Sequence, residues 1–472
     1  MRVPHTVPPN TLKAYEPSTP TLWLVGERAR RLRAENWTWD DTIPTSLAEE
    51  CIRFFVNNFD EHKRVTSMLG EDDLMIFLET LSTELPLEIV IPLIPDGVYW
   101  QRRCLNTWAT MNDVTRYDGS WKRMFTERYI RDMIETEEPG YTDWVEMGNT
   151  LKLCCPFVNR LEISQLQPPR VLQAAPVDPD LCSTEDFIPQ HLDLCPVLTI
   201  LENLHELDLQ FGVKGIGMKF TFKCFRIHPK DIEKLANGLK LSGNLQILRI
   251  SCSDIDDNKL ITILKSLEHC KSFKELEIAH CKVTDVGSKA LGHFITIKHS
   301  LKHLKLQNNL ITAEGAQALA FALTMEDSAN LETVDLKFNL IGDEGGRHIA
   351  AGLSKSKYPE HMILAGCGLR KEAGDDLVDM LRFNDTLVTL DLTNNDLGPD
   401  VGKRMADVMR TNRTILKVDV RNCRFKETCE ATIHHLTFRN RERLRKKNSK
   451  RSDERSVTVM SACPKRATSI IY

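Results

Sequence analysis

The chain has 472 residues and a formal net charge of -4, so it can hold two or three domains and has no global field to attract nucleic acid. Its longest apolar run, near residues 89–94, is broken by Pro92 and Pro95 and is far shorter than the ~20 residues a membrane span needs. The first residues also lack the apolar core of a signal peptide. We therefore expect a soluble, cytoplasmic protein that binds neither membrane nor nucleic acid.

The N-terminal third begins with a Pro-rich arm over residues 1–27, which has little periodicity. Residues 28–150 then show several apolar segments at helical spacing and predict a helical N-terminal domain. Ser120 stands where a helix N-cap belongs. The first of these apolar faces consists of Leu47, Cys51, Phe54, Phe55 and Phe59.

One pattern recurs between Leu245 and Phe425, Leu-x-x-Leu-x-Leu-x-x-Asn/Cys-x-Ile/Leu, and its spacing is the leucine-rich-repeat period. Because one strand–helix unit cannot bury its apolar face alone, neighbouring units must stack into a solenoid. We therefore predict an α/β leucine-rich-repeat solenoid over residues 151–438. It is a ribonuclease-inhibitor-like horseshoe with a parallel sheet inside and helices outside. The copies start at Leu245, Phe273, Leu301, Leu331, Pro359, Leu387 and Ile415.

Two segments depart from the repeat period. Residues 210–228 lengthen the unit that starts at Leu204, and their alternating apolar residues, Phe220 and Phe222 among them, predict an inserted strand pair or flap. Inserts in repeat arrays often lie on the binding face, so both aromatic residues are candidate partner contacts. Residues 439–472 form a basic C-terminal extension with a tail that is expected to be unstructured.

The sequence contains no constellation that catalysis or metal binding requires. It lacks a His-Glu-x-x-His zinc motif, a Gly-x-Ser-x-Gly elbow and a Walker A loop. None of the 14 cysteines forms a Cys-x-x-Cys pair. Cys281, Cys367 and Cys423 instead occupy the Asn/Cys position of a repeat, which predicts reduced, buried thiols. We expect no enzymatic activity, cofactor or metal.

The fifth position of each repeat strand should face solvent on the concave surface. The first four of these residues alternate in charge and should form a ladder, because adjacent strands lie about 4.8 Å apart. Beyond it the row continues with an exposed apolar residue and two unpaired acids, near Phe338 and Arg421, and this end is the better candidate for a protein contact. The row consists of Arg249, Glu277, Lys305, Asp335, Ile363, Asp391 and Asp419.

The N-terminal domain carries a more specific signature. Leu85-Pro86-Leu87, Tyr99-Trp100-x-Arg102-x-Cys104-x-x-x-Trp108 and, above all, Gly119-Ser120-Trp121-Lys122-Arg123-Met124-Phe125-x-Glu127-Arg128 resemble the T-complex-associated testis-expressed family. That resemblance implies the leucine-rich-repeat subunit of the nexin–dynein regulatory complex, a non-enzymatic part of the axonemal cytoskeleton in motile cilia and flagella. The implied partners are other subunits of that complex, many of them coiled coils, with the doublet microtubule or dynein nearby.

Two other functions remain as alternatives. Leu85-Pro86-x-Glu88-Ile89 followed by Cys104 and Trp108 is loosely F-box-like, and F-box domains often precede leucine-rich repeats in substrate adaptors of ubiquitin ligases. Pro92 and Pro95 interrupt the helix that an F-box requires. The repeats also suit an inhibitor that encloses an enzyme, although that function leaves the N-terminal domain unexplained.

Overall fold

The computed structural model describes residues 46–109, 113–138, 140–166, 191–212, 214, 226–325 and 330–461. The arm at residues 1–27, Phe220 and Phe222 of the insert, and residues 462–472 lie outside the described part. Contacts divide the chain into one unit that ends at Asn106 and a second that begins at Thr107. None of the described helices is both long and apolar enough to cross a bilayer. The domain boundaries drawn from the sequence stay predictions.

The first unit is helical, with α1 (Leu47–Asn57), α2 (Glu71–Thr80), α3 (Leu87–Leu93) and α4 (Val98–Thr107). Ser46 begins α1 through a capping box with Glu49, in which each side chain bonds the other residue's backbone N–H. The buried residues near this helix are Ile52 and Phe59, whereas Leu47 and Phe54 of the predicted apolar face are 81% and 53% exposed.

The second unit alternates strands and helices, and the strand pairs among its described residues are all parallel and join neighbours in sequence. This arrangement confirms the predicted leucine-rich-repeat solenoid. The strands are β1 (Arg160–Ile163), β2 (Glu206–Leu209), β3 (Ile247–Ser251), β4 (Glu275–Ala279), β5 (His303–Lys305), β6 (Thr333–Asp335), β7 (His361–Ile363), β8 (Thr389–Asp391) and β9 (Lys417–Asp419). The helices are α5 (Trp121–Thr136), α6 (Trp144–Cys154), α7 (Cys195–Ile200), α8 (Pro229–Leu241), α9 (Asp257–Leu267), α10 (Asp285–Ile297), α11 (Ala313–Thr324), α12 (Gly342–Lys355), α13 (Lys371–Phe383), α14 (Gly398–Thr411) and α15 (Glu427–Ser461).

Buried asparagine side chains hold the turns of successive repeats together. Asn339 donates from Nδ2 to the carbonyl oxygens of Leu306 and Leu336, both at 2.8 Å. Its Oδ1 accepts from the backbone N–H groups of Asn309 and Ile311, at 3.1 and 3.3 Å. The side chain is 1% exposed, so each of these bonds replaces one to water. One side chain therefore satisfies backbone groups in two adjacent repeats.

Replacing Asn339 by Ala should lower the free energy of unfolding by about 3 kcal/mol, because it leaves buried backbone groups without partners. The matched control is Asn308→Gly, which alters the residue next to Asn309, the buried asparagine of the preceding repeat. Asn308 is exposed at φ +51°, which Gly adopts freely, and its change should stay within about 0.5 kcal/mol. Urea unfolding followed by circular dichroism measures both. Equal losses would contradict the role assigned to Asn339.

Acidic residues at the start of one helix also cap the helix of the next repeat. Asp285 Oδ1 accepts from the N–H groups of Thr312 and Gly315 at 2.8 and 2.9 Å, and its Oδ2 accepts from the Thr312 hydroxyl at 2.6 Å. A Cβ at position 315 would lie 2.5 Å from Asp285 Oδ1, so the position requires glycine. Asp257 bonds Thr284 and Gly287 in the same way.

The stability that Asp285 contributes should depend on pH. Although burial opposes ionisation, hydrogen bonds from Thr312 and Gly315 lower the pKa of Asp285. Its stabilisation is therefore present above the unfolded pKa, about 3.9, and is lost as pH falls through the folded value. Asp285→Asn should cost about 1 kcal/mol at pH 7 and less at pH 3, measured by urea unfolding. The exposed control Asp385→Asn should cost little at either pH, and an equal cost of the Asp285 change at both would exclude the charge as the cause.

Candidate functional site

The predicted row of strand residues lies in register across the sheet. Arg249 pairs with Glu277, and Glu277 with Lys305, as Cα partners on adjacent strands. Glu277 Oε2 lies 3.5 Å from both Arg249 Nε and Lys305 Nζ. The ladder also recruits Glu275, whose Oε1 lies 2.7 Å from Lys305 Nζ and 3.2 Å from Arg249. The two cations and two carboxylates of this group therefore neutralise one another.

Three details of the predicted row are wrong. Asp335 is the Cα partner of Lys305 as expected, but it is 4% exposed and forms its ion pair with Lys337 at 3.5 Å. Ile363 is half-buried, not exposed. Asp419 was expected to be unpaired, but Arg421 donates to both of its carboxylate oxygens at 2.8 and 2.7 Å. Sequence spacing gave the row but not these pairings, because the cations stand two residues farther along the same strand–loop segment.

The C-terminal end of the array contains an open cleft of about 810 Å³ between the last turns and the start of α15. Arg421 lies in its wall, and its hydrogen bond to Asp419 is the main reason that the pKa of that carboxyl is lowered. Asp391 stands on the neighbouring strand, where its Oδ1 accepts from the Thr393 N–H at 3.0 Å. Phe338 lies apart from these residues, in the turn after β6. The lining residues are Thr393, Asn394, Arg421, Asn422, Arg424, Phe425 and Glu430.

The described cysteines are free, and those at the Asn/Cys position are buried. Cys367 Sγ donates to the Leu336 carbonyl at 3.3 Å, and Cys423 Sγ to the Leu392 carbonyl at 3.0 Å. Burial raises the pKa of Cys367 to about 12 and that of Cys423 to about 11. These thiols are weak nucleophiles and serve the backbone of the turns. Within the described ranges, no group of His, Cys, Asp and Glu side chains could hold a metal ion.

The Trp121–Arg128 block forms the start of α5, which covers the free edge of β1. Glu127 Oε1 accepts from the N–H groups of Asn159 and Arg160, both at 3.0 Å, and Glu135 Oε1 accepts from the Ser164 N–H at 2.8 Å. Eight helical residues rise about 12 Å, and four strand residues span about 13 Å, so the two glutamates reach both ends of the strand. Burial raises the pKa of Glu127, although Arg123 opposes this by bonding it at 2.7 Å.

The other end of the array is covered by α15. Asn440 is 1% exposed and donates to the carbonyl oxygens of Asn412 and Ile415 at 3.1 and 3.0 Å. This helix includes the basic extension and continues to Ser461, so the expectation of an unstructured tail is wrong for the part of the tail that ends there. The exposed basic residues after Arg439 follow one another on a continuous helix. The helix of the basic run could not be predicted from its charges, because the helix begins in the preceding residues, which pack against the last repeat.

Replacing Glu127 by Ala should expose the edge of β1, because two backbone N–H groups lose their acceptor. We expect the amide hydrogens of Asn159 and Arg160 to exchange faster and the free energy of unfolding to fall by about 2 kcal/mol. Glu162→Ala on the same strand is the control, since that side chain is 51% exposed. Hydrogen exchange with mass spectrometry separates the two. Unchanged exchange at Asn159 would contradict the edge function of Glu127.

Known proteins share both the repeats and the overall sequence pattern of this chain. A Leucine Rich repeat family model matches residues 269–292, 298–320, 327–350 and 383–402. Dynein regulatory complex subunit 5 of Macaca fascicularis is 33% identical over 302 residues, 63% of this chain and 60% of that protein. The Mus musculus protein of that name is 33% identical over 296 residues, 61% of this chain and 58% of its own length. The Chlamydomonas reinhardtii protein is 28% identical over 217 residues, 46% and 50% of the two chains.

The chain thus matches at most about 60% of the length of these relatives. They confirm the resemblance drawn from the sequence, and the family model confirms the repeats. The chain is a leucine-rich-repeat protein related in sequence to the dynein regulatory complex subunit 5 proteins.

Proposed function

We propose that this chain is a non-enzymatic scaffold subunit of a dynein regulatory complex in the axoneme of cilia or flagella. There it binds other subunits, coiled coils among them, and helps to regulate dynein-driven motility. The observation that carries the proposal is the 33% identity over 302 residues to a protein named dynein regulatory complex subunit 5. The doublet microtubule or dynein lies nearby, within reach of the exposed basic residues of α15.

The geometry supports a surface that recognises proteins. Hydrogen bonds between repeats make the array rigid, and a rigid surface loses little entropy when it binds. Its charges differ along the concave face: they are mutually neutralised around Lys305, whereas Asp391 forms no ion pair with any described residue. We infer that Asp391, Asp419 and Arg421, together with Ile363 and Phe338, contribute to partner contact.

Detergent extraction of axonemes tests the proposal. A tagged chain, expressed in ciliated cells that lack their own copy, should remain with the extracted axonemes and co-enrich with the other regulatory-complex subunits. Release with the soluble fraction, together with cullin-containing ligases, would replace the scaffold by a substrate adaptor.

The double variant Asp391→Lys/Asp419→Lys should reduce this axonemal retention several-fold, because it reverses the charge offered to a partner. Asp391 forms no ion pair with a described residue, and the ion pair of Asp419 is with Arg421, which is 76% exposed, so the melting temperature should change by no more than a few degrees. Asp400→Lys/Asp407→Lys on the exposed face of α14 is the matched control and should be retained normally. A large fall in melting temperature with normal retention would show that Asp391 and Asp419 are structural.

A further inference from the structure

The residue that directly follows the Asn/Cys position of each repeat forms a row along the turns. This row is charged at both ends of the array and uncharged in the middle. At its two ends the row is charged and paired, with Lys282 Nζ 2.6 Å from Asp254 and Arg424 Nε 3.1 Å from Asp396. Between these pairs the row is uncharged. The row consists of Asp254, Lys282, Leu310, Leu340, Gly368, Asp396 and Arg424, and Leu310 and Leu340 are 49% and 73% exposed.

A second row, two residues earlier in each turn, changes at the same place. Its backbone is left-handed, and polar side chains bond one another at the ends, Asn308 to His280 at 2.8 Å and Asn422 to Asn394 at 2.9 Å. Phe338 occupies the row at φ +59° and is 48% exposed. A bulky residue is costly in this conformation, and such strain concentrates at functional positions.

Glycine in the next repeat makes room for this ring. A Cβ built at Gly366 would lie 2.6 Å from Phe338 Cδ1, so the aromatic ring rests directly on the Gly366 backbone. We call the surface formed by Leu310, Phe338, Leu340, Gly366 and Gly368 the turn patch. It is apolar and solvent-facing, and bonded polar pairs stand on both sides of it. An apolar centre within a polar rim is the anatomy of protein interfaces.

The charges beside the turn patch are unbalanced. In the first turns of the neighbouring helices Glu314 lies 3.2 Å from Lys289, and Glu372 lies 3.0 Å from Arg347. Glu344, between them, is exposed and forms no ion pair with any residue that the structure describes. One exposed cation, Arg370, two residues after Gly368, is also without an ion pair among those residues. Asp391, on the concave side, is likewise without an ion pair among those residues. A partner with basic residues on both sides of an apolar ridge would satisfy both acids.

The backbone limits the form that such a partner can take. The strands beneath the turn patch, β5, β6 and β7, each pair with neighbours on both sides. They therefore offer no free edge to which a partner strand could add, and the partner must satisfy its own backbone. An α-helix does so, and its side chains at i and i+4 lie about 5–6 Å apart, close to the strand spacing of about 4.8 Å.

We propose that the turn patch binds one face of an amphipathic α-helix from another subunit, with Lys or Arg residues flanking its apolar ridge. The proposal rests on the scaffold function above and names the surface and the chemistry of one partner. Leu310 and Leu340 contact the ridge, Phe338 supplies the rigid aromatic anchor, and Glu344 and Asp391 bind the flanking cations.

Photo-crosslinking in extracted axonemes tests what covers the patch. The full chain carries p-benzoylphenylalanine in place of Leu340, and a control chain carries it in place of Leu241, which is 62% exposed at the end of α8. We expect an adduct from position 340 only, to a peptide of a different protein with apolar residues three and four apart and flanking Lys or Arg. An adduct to this chain itself, from a second copy or another segment, would overturn the proposal. Equal adducts from the two positions would also overturn it.

A triple variant separates this proposal from the scaffold function. Leu310→Ser/Phe338→Asn/Leu340→Ser should leave the melting temperature unchanged or raised, since Asn is the residue of neighbouring turns at position 338. Its retention on axonemes should fall at least fivefold, whereas Leu241→Ser/Phe321→Ser/Phe383→Ser, which alters apolar residues that are at least as exposed, is retained. Normal retention of the triple variant would refute the patch alone. Loss of the unaltered chain from axonemes would instead refute the scaffold function.

Discussion

The buried hydrogen bonds of the Asn/Cys position are the constraint on which the rest of the repeat array depends. Asn309, Asn339 and Asn395 each bond carbonyl oxygens of their own turn and of the preceding one. Because each of these turns is tied to the preceding one, equivalent residues of successive repeats come to lie side by side. Rows of surface residues, not single side chains, are therefore the units that a partner meets.

An array built this way has two open ends, and the chain closes them with different chemistry. At the first end carboxylates of α5 accept from the backbone of β1, and at the last end an amide of α15 donates to carbonyl oxygens. The Trp121–Arg128 block, the most distinctive part of the sequence, belongs to the first of these closures. Met124 and Phe125 are buried there and Glu127 bonds the strand edge. The motif on which the resemblance was based thus stabilises the array.

The surface rows divide into neutralised and open stretches. Around Arg249 and Lys305 the ion pairs with Glu275 and Glu277 satisfy most of the charge on the concave face. Farther along the concave face, Asp391 forms no ion pair with a described residue. Two and three repeats before it, the turns carry Phe338, Leu310 and Leu340 where other turns carry bonded polar pairs. Asp391 belongs to the repeat that starts at Leu387, whereas the apolar turn residues belong to the repeats that start at Leu301 and Leu331. We propose the stretch that holds both as the binding region.

The sequence by itself determined the solenoid, its parallel strand order and the register that aligns Arg249, Glu277 and Lys305, because a 28-residue period leaves one way to bury the shared apolar spine. It also showed the buried thiols and the position of the Ser120 cap. Tertiary structure alone decided which charges pair, as Asp335 with Lys337 and Asp419 with Arg421, since side-chain reach across a turn has no periodic signal. It also decided that Phe338 lies on Gly366, because that contact joins two repeats whose local sequences are independent.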